Sequence, residues 1–147
     1  MAGNDKLYGG GDNDAVTGGT GNDTLFCMNG NDGLSGDDGS DTLNGGNGSD
    51  SLTGGSGNDS LFGGTGDDLF IFMQDDGADN ISDFIVGAGS QDVISFIGIT
   101  GINSFADVQG AVTQVGADAV IDLGGTNELT LLGVNAGDLH QDDFLIT

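Results

Sequence analysis

The sequence has no proline, no tryptophan and no arginine, and Lys6 is its one permanently charged cation. Against that lysine stand 24 acidic residues, for a net charge of −23. A chain with one cation can neither neutralise a phosphate backbone nor settle on an anionic bilayer, so nucleic acid and lipid surfaces are excluded as electrostatic partners. Cations are its natural ligands. The lone cysteine, Cys27, cannot close an internal disulfide, so redox compartment does not follow from it. No run approaches the roughly 18 apolar residues of a membrane span, and the N-terminus has neither a basic nor an apolar stretch. Neither membrane insertion nor an N-terminal signal peptide is expected, and export would need another route or a longer parent chain.

Large aliphatic and aromatic side chains are scarce in the first half. Leu, Ile, Val and Phe number 9 in residues 1–66 and 29 in residues 67–147, while 20 of the 31 glycines fall in the first segment. Chains so poor in apolar residues and so rich in like charge stay disordered in plain water, because little burial opposes a large chain entropy. Glycine raises that entropy further. Ordering of residues 1–66 therefore needs free energy from outside the sequence.

What is present is a strict repeat. Asp recurs at positions 5, 14, 23, 32, 41, 50, 59 and 68, a spacing of nine without a slip. Two residues after each Asp comes an apolar side chain, from Leu7, Val16 and Leu25 through to Leu61 and Phe70. A glycine-rich turn precedes each Asp, as in Gly18-Gly19-Thr20-Gly21-Asn22-Asp23. The unit reads G-G-x-G-x-D-x-U-x with U apolar: six residues for a tight turn and three for one short strand. Two units make an 18-residue coil. Stacked coils place Leu7, Leu25, Leu43 and Leu61 in one apolar row and Val16, Leu34, Leu52 and Phe70 in the facing row, between two parallel sheets. The same stacking puts Asp5, Asp23, Asp41 and Asp59 in one file and Asp14, Asp32, Asp50 and Asp68 in another. With strands about 4.8 Å apart, each file sets like charges at repulsive distance.

Divalent cations remove that conflict. Carboxylates and the carbonyls of glycine-rich turns are oxygen donors of the kind Ca²⁺ takes six to eight at a time, whereas Mg²⁺ demands a compact octahedron and keeps its waters. The absence of a His or Cys cluster disfavours Zn²⁺ and the later transition metals.

These nonapeptides resemble those of RTX (repeats-in-toxin) proteins, over residues 3–71. The resemblance implies an all-β fold, a right-handed parallel β-roll over residues 1–71 with a β-rich C-terminal cap over 72–147, and about six bound Ca²⁺ ions. In that family each ion lies between turns two units apart, held by the Asp of both, by carbonyls of unit positions 2 and 4 in one turn, and by carbonyls of positions 1 and 3 in the other. Carried onto this chain, Asp5 would act with Gly18, Thr20 and Asp23, and Gly10, Asp12 and Asp14 with Asn29 and Asp32. Gly19, Gly21 and Asp23 would act with Gly36, Asp38 and Asp41, and Gly30 and Asp32 with Gly45, Asn47 and Asp50. Gly39 and Asp41 would act with Gly54, Ser56 and Asp59, and Gly46, Gly48 and Asp50 with Gly63, Thr65 and Asp68. Four positions depart from the pattern: Cys27 and Met28 replace the first two glycines of their unit, Asp37 a second glycine and Asp12 a third. A side chain at positive φ costs on the order of 1 kcal/mol or more, so sites near residues 10–32 are expected to be distorted or weaker.

In the second half, Leu69 to Phe72 is expected to be a buried strand closing the stack. Strands are expected over Asn80 to Ile85, Asp92 to Ile97, Ala119 to Leu123 and Glu128 to Leu132, with one helix from Phe105 to Val115 behind a Ser104 N-cap. Asp76, Asp79, Asp83 and Asp92 read either as ligands of a further site at the cap junction or as solvated loop acids. The C-terminal Asp143-Phe144-Leu145-Ile146 is similar to the secretion signal of exported RTX proteins, which implies a type I secretion channel as partner; it also reads as an ordinary last strand. His140 reads as a surface residue and Cys27 as a tolerated replacement of glycine. No nucleophile-and-base constellation is present, and adjacent acids such as Asp67-Asp68 point opposite ways on a strand, so no catalysis is expected. The leading reading is a calcium-binding, calcium-dependent folding module of a secreted protein, a fragment of a larger chain. The alternative is a targeting or substrate-binding module of an extracellular enzyme of alginate epimerase, metalloprotease or lipase type, or of a surface or ice-binding adhesin.

Overall fold

The nine-residue rhythm becomes two sheets facing each other across a thin core. In the computed structural model, which describes residues 1–89 and 92–147, strands alternate between the sheets. One sheet takes β1 (Lys6–Gly10), β3 (Thr24–Asn29), β5 (Thr42–Asn47), β7 (Ser60–Thr65) and β9 (Ala78–Ile81). The other takes β2 (Ala15–Thr20), β4 (Gly33–Asp38), β6 (Ser51–Ser56), β8 (Leu69–Met73), β10 (Val93–Ile97) and β14 (Phe144–Ile146). All these pairings are parallel, and in the repeat the register is 18 residues, Leu25 opposite Leu43 and Leu34 opposite Leu52. The fold is a parallel β-solenoid of about four turns with one short helix.

Both apolar rows form as the spacing requires. Leu25, Leu43, Leu52 and Leu61 have no exposed surface, and the rows run on through Ile81 and Ile94. The strands are longer than the expected three residues: most repeat strands span six, because the ladder continues from the apolar position through Gly-Gly-x of the next unit. Glycine is what permits this. A Cβ on Gly64 would collide with the Gly46 carbonyl of the preceding coil, and one on Gly39 with the Gly21 carbonyl.

Several expectations for the second half need correction. β8 does not close the stack, because Ile94 and Phe144 supply further apolar rungs in register with Phe70. Both sheets run on past residue 71, and the first extends through β13 (Asn127–Leu131), β12 (Asp118–Gly124) and β11 (Val112–Val115). β13 joins β9 in parallel; β12 and β11 follow antiparallel through the Gly124–Asn127 turn. The strand expected at 80–85 is β9, which ends at Ile81, where Asp83 takes over the N–H groups of Gly63 and Gly64 at 3.1 and 2.7 Å. Helix α1 covers Phe105–Ala111, with Ser104 accepting from the Asp107 N–H as foreseen. It stops short of Val115 because Val112 to Val115, with three β-branched residues, pair with β12 instead. Val108 is fully buried, whereas Val115 is 58% exposed.

Candidate metal centre

The turns end in aspartates whose side chains face inward. Asp23, Asp32, Asp41, Asp50, Asp59 and Asp68 are each at most 3% exposed, while Asp5 and Asp14, in the first coil, are half-buried. Stacking at 18 residues gives every rung the same partner: the backbone N–H of one Asp donates to Oδ1 of the Asp a coil later. The first file runs Asp5 to Asp23 at 2.7 Å, Asp23 to Asp41 at 2.6 Å and Asp41 to Asp59 at 2.7 Å. The second runs Asp14 to Asp32 at 2.7 Å, Asp32 to Asp50 at 2.8 Å and Asp50 to Asp68 at 2.9 Å.

The second carboxylate oxygen is left over. Oδ2 of Asp5, Asp23, Asp32, Asp41, Asp50, Asp59 and Asp68 is buried and accepts no hydrogen bond. Buried ionised oxygens without a donor are costly, and among the described residues no cation pairs with them. Its only lysine stands outside the roll over the stacked rings of Tyr8 and Phe26. Electrostatics records the same conflict. Burial pushes the Asp59 and Asp68 carboxyls up to about 6, with backbone N–H donors opposing the rise and neighbouring carboxylates adding to it. Burial also raises Asp41 and Asp50.

Main-chain oxygens surround these orphaned atoms. A Cβ on Gly18 would lie 2.5 Å from Asp23 Oδ2 and 2.8 Å from the Gly36 carbonyl, so both oxygens border one small space between successive coils. Gly36 is arranged in the same way with Asp41 and the Gly54 carbonyl, and Gly45 with Asp50 and the Gly63 carbonyl. From the later coil, the carbonyls of Thr20, Asp38, Asn47, Ser56 and Thr65 point back, accepting from Gly3, Gly21, Gly30, Gly39 and Gly48 at 2.7 to 3.0 Å. From the earlier coil, the carbonyls of Asp12, Gly21, Gly30, Gly39, Gly46 and Gly48 point forward against the glycines stacked above them. Gly10 and Gly19 lie in the ladder opposite Met28 and Asp37. Asn29 is engaged by its side chain, which accepts from Asn47 Nδ2 at 2.9 Å.

The donor set is therefore carboxylate pairs and carbonyls. Among the described residues no three His, Cys, Asp or Glu side chains cluster as a metal site. Oxygen donors with only two charges per gap suit a hard, loosely coordinated cation, Ca²⁺ before Mg²⁺ or Zn²⁺.

The irregular units behave unequally. Met28 and Asp37 do sit at positive φ, 77° and 74°, so strain falls there, whereas Asp12 does not adopt the left-handed region. Cys27 replaces a core-facing glycine and is fully buried, and burial followed by Asp32, Asp50 and Asp14 pushes its thiol up to about 12. Such a thiol is unreactive.

One feature escaped the sequence reading, and for Asp79 and Asp92 the structure rules out one of the two readings left open. Unit position 5 forms an outer ladder, in which the N–H of Asn22, Asn31, Ser40 and Ser49 donates to the Asn side chain of the coil before, at 2.9 to 3.1 Å. Asp79 and Asp92 are not solvated loop acids: 4% and 3% exposed, they are the next rungs of the two files, accepting from Asp59 at 2.9 Å and Asp68 at 3.1 Å. The shared nine-residue spacing would have located the Asn ladder; the Asp79 and Asp92 rungs lie 20 and 24 residues on, outside any fixed period.

Comparisons with known proteins agree with this geometry. A family model described as the RTX calcium-binding nonapeptide repeat (4 copies) matches residues 1–25 and 35–70. The crystal structure of the extracellular lipase LipA from Serratia marcescens is similar over 95% of this chain and 20% of the lipase, with 27% identity and a TM-score of 0.70. The solution structure of the AlgE6R2 subunit of the Azotobacter vinelandii mannuronan C5-epimerase shares the fold, at 24% identity and a TM-score of 0.50, over 99% of this chain and 90% of that one. The search of curated proteins returned no match. With the aspartate files, the positive-φ turns and the family model in agreement, residues 1–25 and 35–70 of this chain match RTX calcium-binding nonapeptide repeats.

Proposed function

We propose that this chain is a calcium-dependent folding module of a secreted protein, in which residues 1–71 form the calcium-binding roll and residues 72–147 cap it. The observation that carries this reading is the pair of buried aspartate files with orphaned Oδ2 atoms. In the proposed sites, Asp23 and Asp41 hold one ion with carbonyls of Gly19, Gly21, Gly36 and Asp38, and Asp50 and Asp68 hold another with carbonyls of Gly46, Gly48, Gly63 and Thr65. The remaining sites follow at the same offsets, about six in all. Bound Ca²⁺ supplies the positive charge that the files lack, so binding and folding are one process.

Low cytosolic and high extracellular Ca²⁺ would keep the roll of residues 1–71 unfolded before export and ordered after it. The extracellular lipase to which this chain is similar supports that location. The chain spans only 20% of that lipase, which favours a module within a larger protein, without catalysis of its own. Asp143-Phe144-Leu145-Ile146 would serve a type I secretion channel while unfolded and, once folded, pair as β14 with β10.

The test is far-UV circular dichroism of chelator-treated protein titrated with CaCl₂, with MgCl₂ as control. The expected result is a cooperative gain of β signal with Ca²⁺ and not with Mg²⁺, as residues 1–71 order. A full β spectrum without metal overturns the reading and makes the chain a constitutive scaffold.

A further inference from the structure

Among the described residues three non-glycine residues have positive φ: Met28, Asp37 and Asp75. The first two occupy position 2 of their repeat units. The third lies beyond the matched repeats, in a segment with no recognisable nonapeptide. Counting Asp75 as a second position makes residues 74–82 a ninth unit, Gln-Asp-Asp-Gly-Ala-Asp-Asn-Ile-Ser.

Each later position then fits. Gly77, at position 4, has φ of 112°, and a Cβ there would collide with the Gly57 carbonyl, as at Gly39 and Gly48. The Asp76 carbonyl, at position 3, accepts from the Gly57 N–H at 2.6 Å, as Ser56 does from Gly39. The N–H at position 5, on Ala78, donates to Asn58 Oδ1 at 3.1 Å in the outer ladder. Asp79, at position 6, accepts from the Asp59 N–H, and Ile81, at position 8, continues the apolar row opposite Leu61. The phase is lost in the sequence because Phe72 and Met73 are inserted ahead of the unit, so the offset from its partner is 20 rather than 18. Beyond it the position-4 ladder passes to a side-chain amide, Asn127 Oδ1 accepting from the Gly77 N–H at 3.2 Å where a position-3 carbonyl accepts in the coils before.

From this arrangement we infer that residues 74–79 complete a further Ca²⁺ site, held by the carboxylates of Asp59 and Asp79 and the carbonyls of Gly57 and Asp76. The independent mark of a ligand is Asp59 Oδ2, on a residue with no exposed surface and with no hydrogen-bond donor. The carboxylate of Asp76 accepts from the Met73 N–H at 2.6 Å through Oδ2 and closes the inserted turn. The site rests on the reading of the repeat as calcium sites, and it extends calcium binding past the last recognisable nonapeptide to where β9 meets β13.

The experiment measures Ca²⁺ stoichiometry by equilibrium dialysis on the full chain, comparing wild type with Asp79→Asn and Asp75→Asn. Both variants remove one negative charge from the same turn, but Asp75 is exposed and supplies no donor. Asp79→Asn should bind one ion fewer than wild type, and Asp75→Asn the same number. Should Asp79→Asn fail to fold, Ca²⁺-loaded wild-type crystals measured at long wavelength decide the matter by an anomalous peak between Asp59 and Asp79. Unchanged stoichiometry in Asp79→Asn, or peaks along residues 1–71 with none between Asp59 and Asp79, overturns this inference alone. Absence of any calcium peak overturns the reading of the repeat with it.

Discussion

The two halves of the molecule share two continuous sheets but are held by opposite means. In residues 1–66 each nine-residue unit from the third onward buries one Leu, worth about 2 kcal/mol, while Leu7 and Val16 are only partly buried, and apart from Cys27 the rest of the interior is glycine backbone and carboxylate. From Leu69 onward the same two-sheet interior is filled by Phe70, Phe72, Ile94, Phe96, Ile121, Leu129 and Leu131, all at most 1% exposed, and Phe72, Phe96, Phe144 and Phe105 meet ring to ring in succession. A solenoid can thus be continued by exchanging one kind of core for another, the sheets staying unbroken while the offset between paired residues grows from 18 to 20 in one sheet and 24 in the other. On the function proposed above, the ionic core needs a cation to be stable and the apolar core does not; the apolar core covers the end of the ladder that the repeat would leave open.

The strongest way to break the comparison is to remove calcium. Amide hydrogen exchange in chelator at pH 7.5 should show β2 to β7 losing protection by orders of magnitude, while β10, β12 and β13 keep most of theirs. Equal loss in both halves would mean that the apolar part cannot stand alone. Next in size, Leu129→Ala should cost about 3 kcal/mol in urea denaturation, by about the same amount with and without Ca²⁺, because it empties part of the apolar core. Asp41→Ala, by contrast, should remove two adjacent ions in calorimetric titration, since Asp41 belongs to the gaps on both sides of it, whereas Asp38→Ala keeps its carbonyl and should remove none.

Gly48→Ala probes the backbone itself. With φ at 128° and the Gly30 carbonyl in the way of a Cβ, it should cost upwards of about 1 kcal/mol, seen as a lower midpoint in Ca²⁺-loaded thermal unfolding. The smallest effect is on pH. Asp59 and Asp68 are raised to about 6 and Asp79 to about 7 in the folded chain, so the folded state binds more protons than the unfolded one between about pH 4 and pH 7. Stability of the metal-free chain should therefore be highest below about pH 4 and fall as pH rises through 6 to 7. Ca²⁺ affinity should run the other way, because the ion competes with those protons. Chelated protein should show more β signal at pH 5 than at pH 7.5, and a flat profile would place the carboxylates in water.

Much of this was legible in the residues. A spacing of nine without a slip dictates which Asp meets which and which Leu meets which, because a parallel ladder repeats the same contact at every coil. The donor chemistry followed from composition, since aspartate and glycine carbonyls are the oxygens that a chain without histidine clusters can offer. The second half was read less well. Val112 to Val115 continue the apolar face of α1 in sequence, yet pair as β11, because the unpaired edge of β12 supplies hydrogen bonds that no helical periodicity reveals. Asp79 and Asp92 read equally as ligands at the cap junction or as loop acids until the inserted residues are seen to restore them to the files.

The sequence by itself determined the repeat, its pairing register and its demand for cations, since these depend on local spacing and on charge, which any stacked arrangement must satisfy. Tertiary structure alone decided that the aspartates face inward with one oxygen orphaned, that the sheets pass through residue 71 unbroken, and that a ninth unit hides behind a two-residue insertion. These depend on which chain segments stack on one another, and stacking is set by the whole solenoid rather than by any nine residues of it.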